Sequence, residues 1–210
     1  MLTIFACLVI VAVLLGLKLL IDKYGWFSAE FRRKFFHISA GSFAAFWPWL
    51  MSMNAIKILG LGMLAGVGLN QYLKVFSFTK GLKRKTYGVA FSALALSAAA
   101  SLTNNKVIFC LAILCLAIAD ALAALVGTHY GKPNQYKVLG QTKSLVGTMT
   151  FWLACLFILG IGLPFVPAHH YLLLLIALPP VLALVENISI AGLDNLTVPV
   201  VLILILRAVG

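Results

Sequence analysis

Long apolar runs fill most of this sequence, and short polar stretches separate them. A helix needs about 17 to 25 mostly apolar residues to cross a bilayer. Runs of about this length fall at approximately residues 1–19, 38–54, 55–73, 88–104, 107–126, 144–162, 169–186 and 196–210. The pattern predicts an all-α, polytopic integral membrane protein with about eight transmembrane helices, forming a single transmembrane domain over residues 1–210.

The composition agrees with this class of protein. Hydrophobic residues make up 63% of the chain and charged residues 10%, with a mean hydropathy of +1.08. A soluble domain carries roughly 25% charged residues. The chain therefore lacks the polar surface that a water-soluble protein needs.

The net charge of +11 lies mainly on one predicted side of the membrane. Only Lys57, Lys106 and Arg207 of the 16 basic residues fall on the other side. The positive-inside rule places the basic side in the cytoplasm, with the N-terminus outside. Basic residues in short membrane loops set topology or bind phosphate, so nucleic acid is not expected as a partner. We expect a prokaryotic inner membrane as the location.

One acidic residue, Asp120, lies inside an otherwise apolar run. A carboxylate within a membrane is costly and indicates function. Small residues near one face, Ala117, Ala121, Ala124 and Gly127, allow close helix packing. The alternative interpretation is a structural ion pair between Asp120 and a loop lysine.

A polar stretch with several glycines follows Asp120 and leads into the next predicted span. Lys143 and Gly147 are expected one turn apart at the start of that helix. Free N–H groups and the positive end of the helix dipole would face a phosphate there, and Gly127, Gly131 and Gly147 would allow close approach. The spacing before Lys132 does not fit a Walker A loop. A tight inter-helix turn with a snorkelling lysine explains the stretch equally well.

Two further carboxylates flank the last short turn. Glu186 ends one predicted span and Asp194 begins the next, so the turn brings them near each other. Together with Asp120 they supply hard oxygen ligands, and Mg²⁺ in proteins often uses one or two carboxylates plus substrate phosphates. Asp194 or Asn195 is equally compatible with a plain helix N-cap.

A basic stripe leads into the second predicted span. Arg33, His37 and Gly41 repeat every four residues and therefore share a helix face. A lone histidine is more often structural than catalytic, but a stripe directed from a basic loop toward the acids is less ordinary. Arg84 and Lys85 precede the fourth span in a similar way.

Together these motifs resemble the CTP-dependent lipid kinases, the family of dolichol kinase, phytol and farnesol kinase and yeast-type diacylglycerol kinase. The matching motifs are Arg33-Lys-x2-His37-x3-Gly41, Arg84-Lys-x-Tyr-Gly88, Asp120-x2-Ala-x3-Gly127-x3-Gly131, Lys143-Ser-x2-Gly147-Thr, and Glu186 followed by Gly192-x-Asp194-Asn195-x2-Val-Pro199. They occur in the expected order and cover most of the chain.

The resemblance implies a kinase that transfers phosphate from CTP to a membrane lipid alcohol, such as phytol, a polyprenol or dolichol, or diacylglycerol. It also implies a divalent cation such as Mg²⁺ and a site at the cytoplasmic face. Positioning and charge neutralisation dominate phosphoryl transfer. The expected catalytic residues are Asp120, Lys143 and His37. The expected phosphate-binding residues are Arg33, Lys132, Lys143, Gly127, Gly131 and Gly147. The expected metal ligands are Asp120, Glu186, Asp194 and Asn195.

Other functions remain open at this stage. The resemblance extends to CTP:phosphatidate cytidylyltransferases, whose site would look almost the same because both reactions handle CTP and Mg²⁺. A transporter with Asp120 as an ion site is a second alternative, although transporters tend to bind at the midplane between repeats. A scaffold without activity is a third. The sequence implies no particular oligomeric state.

Overall fold

The computed structural model describes residues 2–25, 27–73, 87–167 and 169–210. The basic segment that includes Arg84 and Lys85 lies outside these residues. In chain order the elements are α1 (Leu2–Tyr24), α2 (Ala29–Ala45), α3 (Trp47–Leu50), α4 (Met53–Leu73), α5 (Gly88–Leu102), α6 (Lys106–Leu114), α7 (Asp120–Tyr130), β1 (Gln135–Val138), β2 (Gln141–Ser144), α8 (Leu145–Gly162), α9 (Tyr171–Ile188) and α10 (Asp194–Val209).

Long apolar helices dominate the described chain and confirm an all-α integral membrane protein. Five of them are long and apolar enough to cross a membrane: Thr3–Tyr24, Met53–Asn70, Lys106–Tyr130, Leu145–Phe165 and Tyr171–Ile188. The predicted number of about eight spans is not confirmed. Three of the predicted spans correspond to shorter helices, since α2, α5 and α10 have 17, 15 and 16 residues.

The second predicted span, 38–54, is wrong in its position. Helix α2 begins at Ala29, because Ser28 caps it by accepting a hydrogen bond from the N–H of Phe31 at 3.2 Å. The helix ends before Pro48, which lies in the short α3. The apolar pattern left the charged residues before position 38 outside the predicted span. In the structure they belong to α2, because Ser28 caps the helix and Glu30 forms an ion pair of 2.7 Å with Arg33.

The helix that carries Asp120 is the most buried of the five candidate spans. Of its apolar stretch, 67% is buried inside the protein, against 6% for Thr3–Tyr24, so α1 is peripheral. Between α6 and α7 the residues Cys115–Ala119 form a π-helical turn, a feature often found at functional sites. Helix α2 packs closely against this turn, because a Cβ added at Gly41 would lie 2.5 Å from the Cβ of Ala117.

The stretch between α7 and α8 contains a β-hairpin that the sequence analysis did not predict. Strands β1 and β2 pair antiparallel across a two-residue turn, in which Leu139 and Gly140 have φ angles of 47° and 79°. Positive φ at both positions characterises the tight hairpin turns that match strand twist. Ser144 ends β2 and caps α8 by accepting from the N–H of Gly147 at 3.1 Å. The sequence analysis predicted Lys143 at the start of the helix. In the structure Lys143 lies on β2, before α8 begins.

Candidate active site

A cavity of about 250 Å³ opens where the hairpin meets the ends of α7, α8, α9 and α10 and the first turns of α2. Asp120 of α7, Glu186 of α9, and Asp194 and Asn195 of α10 all line it. These four residues lie on three different helices, and the fold brings to one place the complete set that the sequence predicted as metal ligands.

The predicted phosphate-binding residues divide into two groups. Arg33, Lys143, Gly127 and Gly147 line the same cavity as the acids. The exposed Lys132 and the buried Gly131 are not among the residues that line it. Four of the six residues predicted to bind phosphate therefore lie together at the cavity, on α2, β2, α7 and α8.

The glycines bring the backbones of α7 and α8 together. A Cβ at Gly127 would lie 3.2 Å from the Cα of Gly147 and 2.9 Å from Oγ of Ser144. A Cβ at Gly131 would lie 2.3 Å from the same Ser144 oxygen, so this glycine packs against the cap of α8. Close helix packing alone requires small residues at these positions.

Asp120 forms an ion pair with a residue that sequence reasoning did not select. Nζ of Lys34 lies 2.6 Å from Oδ2 of Asp120, and the side chains are 4% and 13% exposed. The alternative interpretation had supposed a lysine from a loop, whereas Lys34 lies on α2. The available signal was its position on α2, three residues before His37, which places both side chains on one face.

His37 approaches the helix of Asp120 from the side of α2. Its Nε2 lies 3.2 Å from the carbonyl oxygen of Leu116 and 3.7 Å from Oδ2 of Asp120. A carbonyl oxygen can only accept a hydrogen bond, so Nε2 carries the hydrogen and donates this bond to the carbonyl of Leu116. His37 is not among the residues that line the cavity, so this bond holds its ring beside Asp120 and the π-helical turn.

The second ion pair of the cavity connects the hairpin to α9. Nζ of Lys143 donates to the carboxylate of Glu186 and, at 3.1 Å, to the backbone oxygen of Glu186. Both side chains are largely buried, and a buried charge needs a partner of opposite sign. Each of the two lysines in this cavity therefore neutralises one of its acids.

The start of α10 carries the remaining predicted ligands. The N-cap of α10 is Leu193, so neither Asp194 nor Asn195 fills the capping role that was the alternative. Asp194 lies outside the five candidate spans, and burial, followed by the negative charge of Asp120, raises the pKa of its carboxyl to about 6.

Asn195 presents an unpaired acceptor. Its Nδ2 donates to the carbonyl of Gly88 at 2.9 Å, whereas its buried Oδ1 has no hydrogen-bond partner in the described part of the chain. Leaving such a group unsatisfied costs about 1–3 kcal/mol. A ligand that donates a hydrogen bond, or a cation, would relieve this cost.

These residues fit a cation that is held only partly by protein. Within the described ranges, no three His, Cys, Asp or Glu residues lie close enough together to hold a metal ion. Mg²⁺ commonly takes one or two carboxylates and completes its shell with substrate phosphates and water. The carboxylates and the Asn195 oxygen at this cavity are hard ligands of that kind.

A further set of polar contacts was not foreseen from the sequence. The hydroxyl of Tyr136 on β1 lies 2.5 Å from Oγ1 of Thr148, and Thr148 lies 3.2 Å from Oδ1 of Asn187. Gln141 of β2 donates to the carbonyl of Ser189 at 3.2 Å. These bonds attach the hairpin to α8 and to the end of α9, so the hairpin forms one wall of the cavity.

Comparisons with known proteins point to one enzyme class. The chain is 30% identical over 186 residues to the phytol kinase of Synechocystis sp., an alignment that covers 86% of this chain and 79% of that protein. No model of a protein family matches the chain. No solved structure matches it either.

Proposed function

The chain belongs to the lipid kinase family that contains phytol kinase and is a phosphotransferase acting on an alcohol, and from this premise we propose that it transfers the γ-phosphate of CTP to phytol or a related isoprenoid alcohol. The proposed reaction takes place at the cytoplasmic face of a prokaryotic inner membrane. It requires a divalent cation, with Mg²⁺ as the natural choice.

One observation carries the proposal: a single cavity contains four carboxylates and three basic side chains at one end of the apolar helices. The carboxylates are Glu30, Asp120, Glu186 and Asp194. The basic residues are Arg33, Lys34 and Lys143. A nucleoside triphosphate with its cation presents both signs of charge, so a site that binds it needs both as well.

The position of the cavity supports a lipid acceptor. The membrane helices α7, α8 and α9 meet the hairpin at this end. A long-chain alcohol keeps its tail among the lipids and its hydroxyl at the interface. The hydroxyl therefore reaches a site at the helix ends without leaving the membrane.

The chemistry follows from the charges. The alcohol oxygen attacks the γ-phosphorus, the bond to the bridging oxygen of the β-phosphate breaks, and CDP leaves. Lys143 and Arg33 hold the phosphates, and one cavity carboxylate accepts the hydroxyl proton. A divalent cation held by Asp120 and its neighbours would neutralise negative charge on the phosphates. Positioning of this kind supplies most of the catalysis in phosphoryl transfer.

A labelling experiment tests the proposal. Purified protein in detergent is given γ-labelled CTP, and ATP in parallel, with phytol, a polyprenol and diacylglycerol, with and without Mg²⁺. A parallel reaction contains α-labelled CTP and phosphatidate. We expect Mg²⁺-dependent label in phytol from CTP. Label from α-labelled CTP entering phosphatidate, with none from γ-labelled CTP entering any alcohol, would contradict it and indicate a cytidylyltransferase.

A further inference from the structure

Lys34 is a buried lysine whose side chain lines the wall of the candidate active site. Its side chain is 4% exposed and lines the cavity. Its Nζ donates to Oδ2 of Asp120 at 2.6 Å and lies 3.4 Å from the backbone oxygen of the same residue. An ammonium group has three donors, and within the described residues the hydrogen bonds of Lys34 go to Asp120.

A second lysine of the chain forms a partly buried ion pair away from this cavity. Lys18 is 8% exposed and lies 2.5 Å from Asp22, which also accepts from Arg32 at 2.8 Å. Lys18 lines a small groove between α1 and α2 and is not among the residues that line the cavity with the acids. Asp22 thus has two cationic partners, whereas Asp120 has Lys34 with the histidine His37 farther away.

Asp120 and Lys34 present charges of opposite sign to the cavity. A divalent cation would compete with the ammonium of Lys34 for the carboxylate of Asp120, because both are attracted to the same oxygens. A buried ammonium that shares its carboxylate needs a further anion nearby. A nucleotide phosphate that enters this cavity supplies that anion within reach of Lys34.

We propose that Lys34 binds a phosphate of the nucleotide and, before the nucleotide enters, neutralises Asp120. Lys34 thus complements Lys143, which is paired with Glu186 at the same cavity. This inference rests on the proposed function, since it presupposes a nucleotide in the cavity.

Two binding measurements test the role of Lys34 without using turnover. CTP affinity is measured by isothermal titration in the presence of EDTA, and Mn²⁺ affinity is measured without nucleotide. For Lys34→Gln we expect metal-free CTP to bind about tenfold or more weakly, since a charged hydrogen bond is lost. We expect Mn²⁺ to bind several-fold more tightly, because the competing ammonium is absent. For Lys18→Gln we expect both affinities to stay at the wild-type value.

A second variant keeps the test valid if Lys34→Gln fails to fold. The variants Asp120→Asn and Asp120→Asn/Lys34→Gln are compared. Both carry an uncharged amide at position 120, so removing Lys34 leaves no unpaired carboxylate there. The double variant is expected to bind metal-free CTP more weakly than the single one. Equal CTP affinity with and without Lys34 would overturn this inference alone. A wild-type protein that binds no nucleoside triphosphate would overturn the proposed function and the inference with it.

Discussion

The hydroxyl of Tyr136 donates a hydrogen bond of 2.6 Å to Oδ1 of Asn187, which connects strand β1 to helix α9. Nδ2 of Asn187 in turn donates to the carbonyl of Ala183, one turn earlier in α9. This arrangement fixes the hairpin against a membrane helix. The adjacent strand carries Lys143, so the position of a phosphate-binding residue depends on a tyrosine that lies across the hairpin from it.

Tyr136→Phe is expected to loosen the hairpin without unfolding the protein. The variant loses the hydrogen bonds of the hydroxyl with Asn187 and Thr148, each worth about 1 kcal/mol. We expect the KM for CTP to rise several-fold while kcat falls less, because the hairpin wall carries Lys143. Steady-state kinetics with varied CTP measure this. Tyr130→Phe is the matched control, since Tyr130 is 64% exposed; equal kinetics for the two variants would argue against a role for the hairpin.

Lys143→Gln is expected to weaken nucleotide binding and to slow transfer. The ammonium is lost from the cavity, and the carboxylate of Glu186 loses its buried partner. A charged hydrogen bond contributes roughly 1.5–3 kcal/mol, so we predict a fall in kcat/KM of about tenfold or more. The exposed Lys137 on the same hairpin serves as the comparison. A Lys137→Gln variant as impaired as Lys143→Gln would show a general effect of positive charge.

Gly41→Ala is expected to destabilise the protein. The new methyl group would lie 2.5 Å from the Cβ of Ala117, which cannot rotate away. Overpacking of this kind costs about 1–3 kcal/mol. Gly66→Ala in α4 is the control, because nothing lies within 4 Å of its added Cβ and alanine favours helix by about 0.5–1 kcal/mol. Thermal unfolding in detergent should separate them, and equal melting temperatures would contradict the close packing of α2 on the π-helical turn.

Apolar periodicity and the cost of buried charge predicted a large part of this protein. Asp120 stood out because a carboxylate in an apolar helix needs a reason. The turn between Glu186 and Asp194 brings both acids to the cavity, as their positions at the span ends predicted. In these cases a single local feature determines the outcome.

Features that depend on several weak local signals were missed. The cap at Ser28 begins α2 at Ala29, so the helix includes charged residues that hydropathy left outside the predicted span. The hairpin follows from a turn at Gly140 within a polar stretch that has no strong strand pattern. The pairing of Lys34 with Asp120 joins residues 86 positions apart. The spacing of Lys34 and His37 indicates a shared helix face but not the residue that the face contacts.

The most direct test of the account compares the rate of phytol phosphate formation for Asp120→Asn and for Asp22→Asn. Both carboxylates are partly buried and paired with a lysine, but only Asp120 lines the cavity. We predict that Asp120→Asn lowers the rate from CTP and Mg²⁺ by roughly 10²-fold or more, whereas Asp22→Asn stays within a few-fold of wild type. Near wild-type activity of a folded Asp120→Asn protein would contradict the assignment of this cavity as the active site.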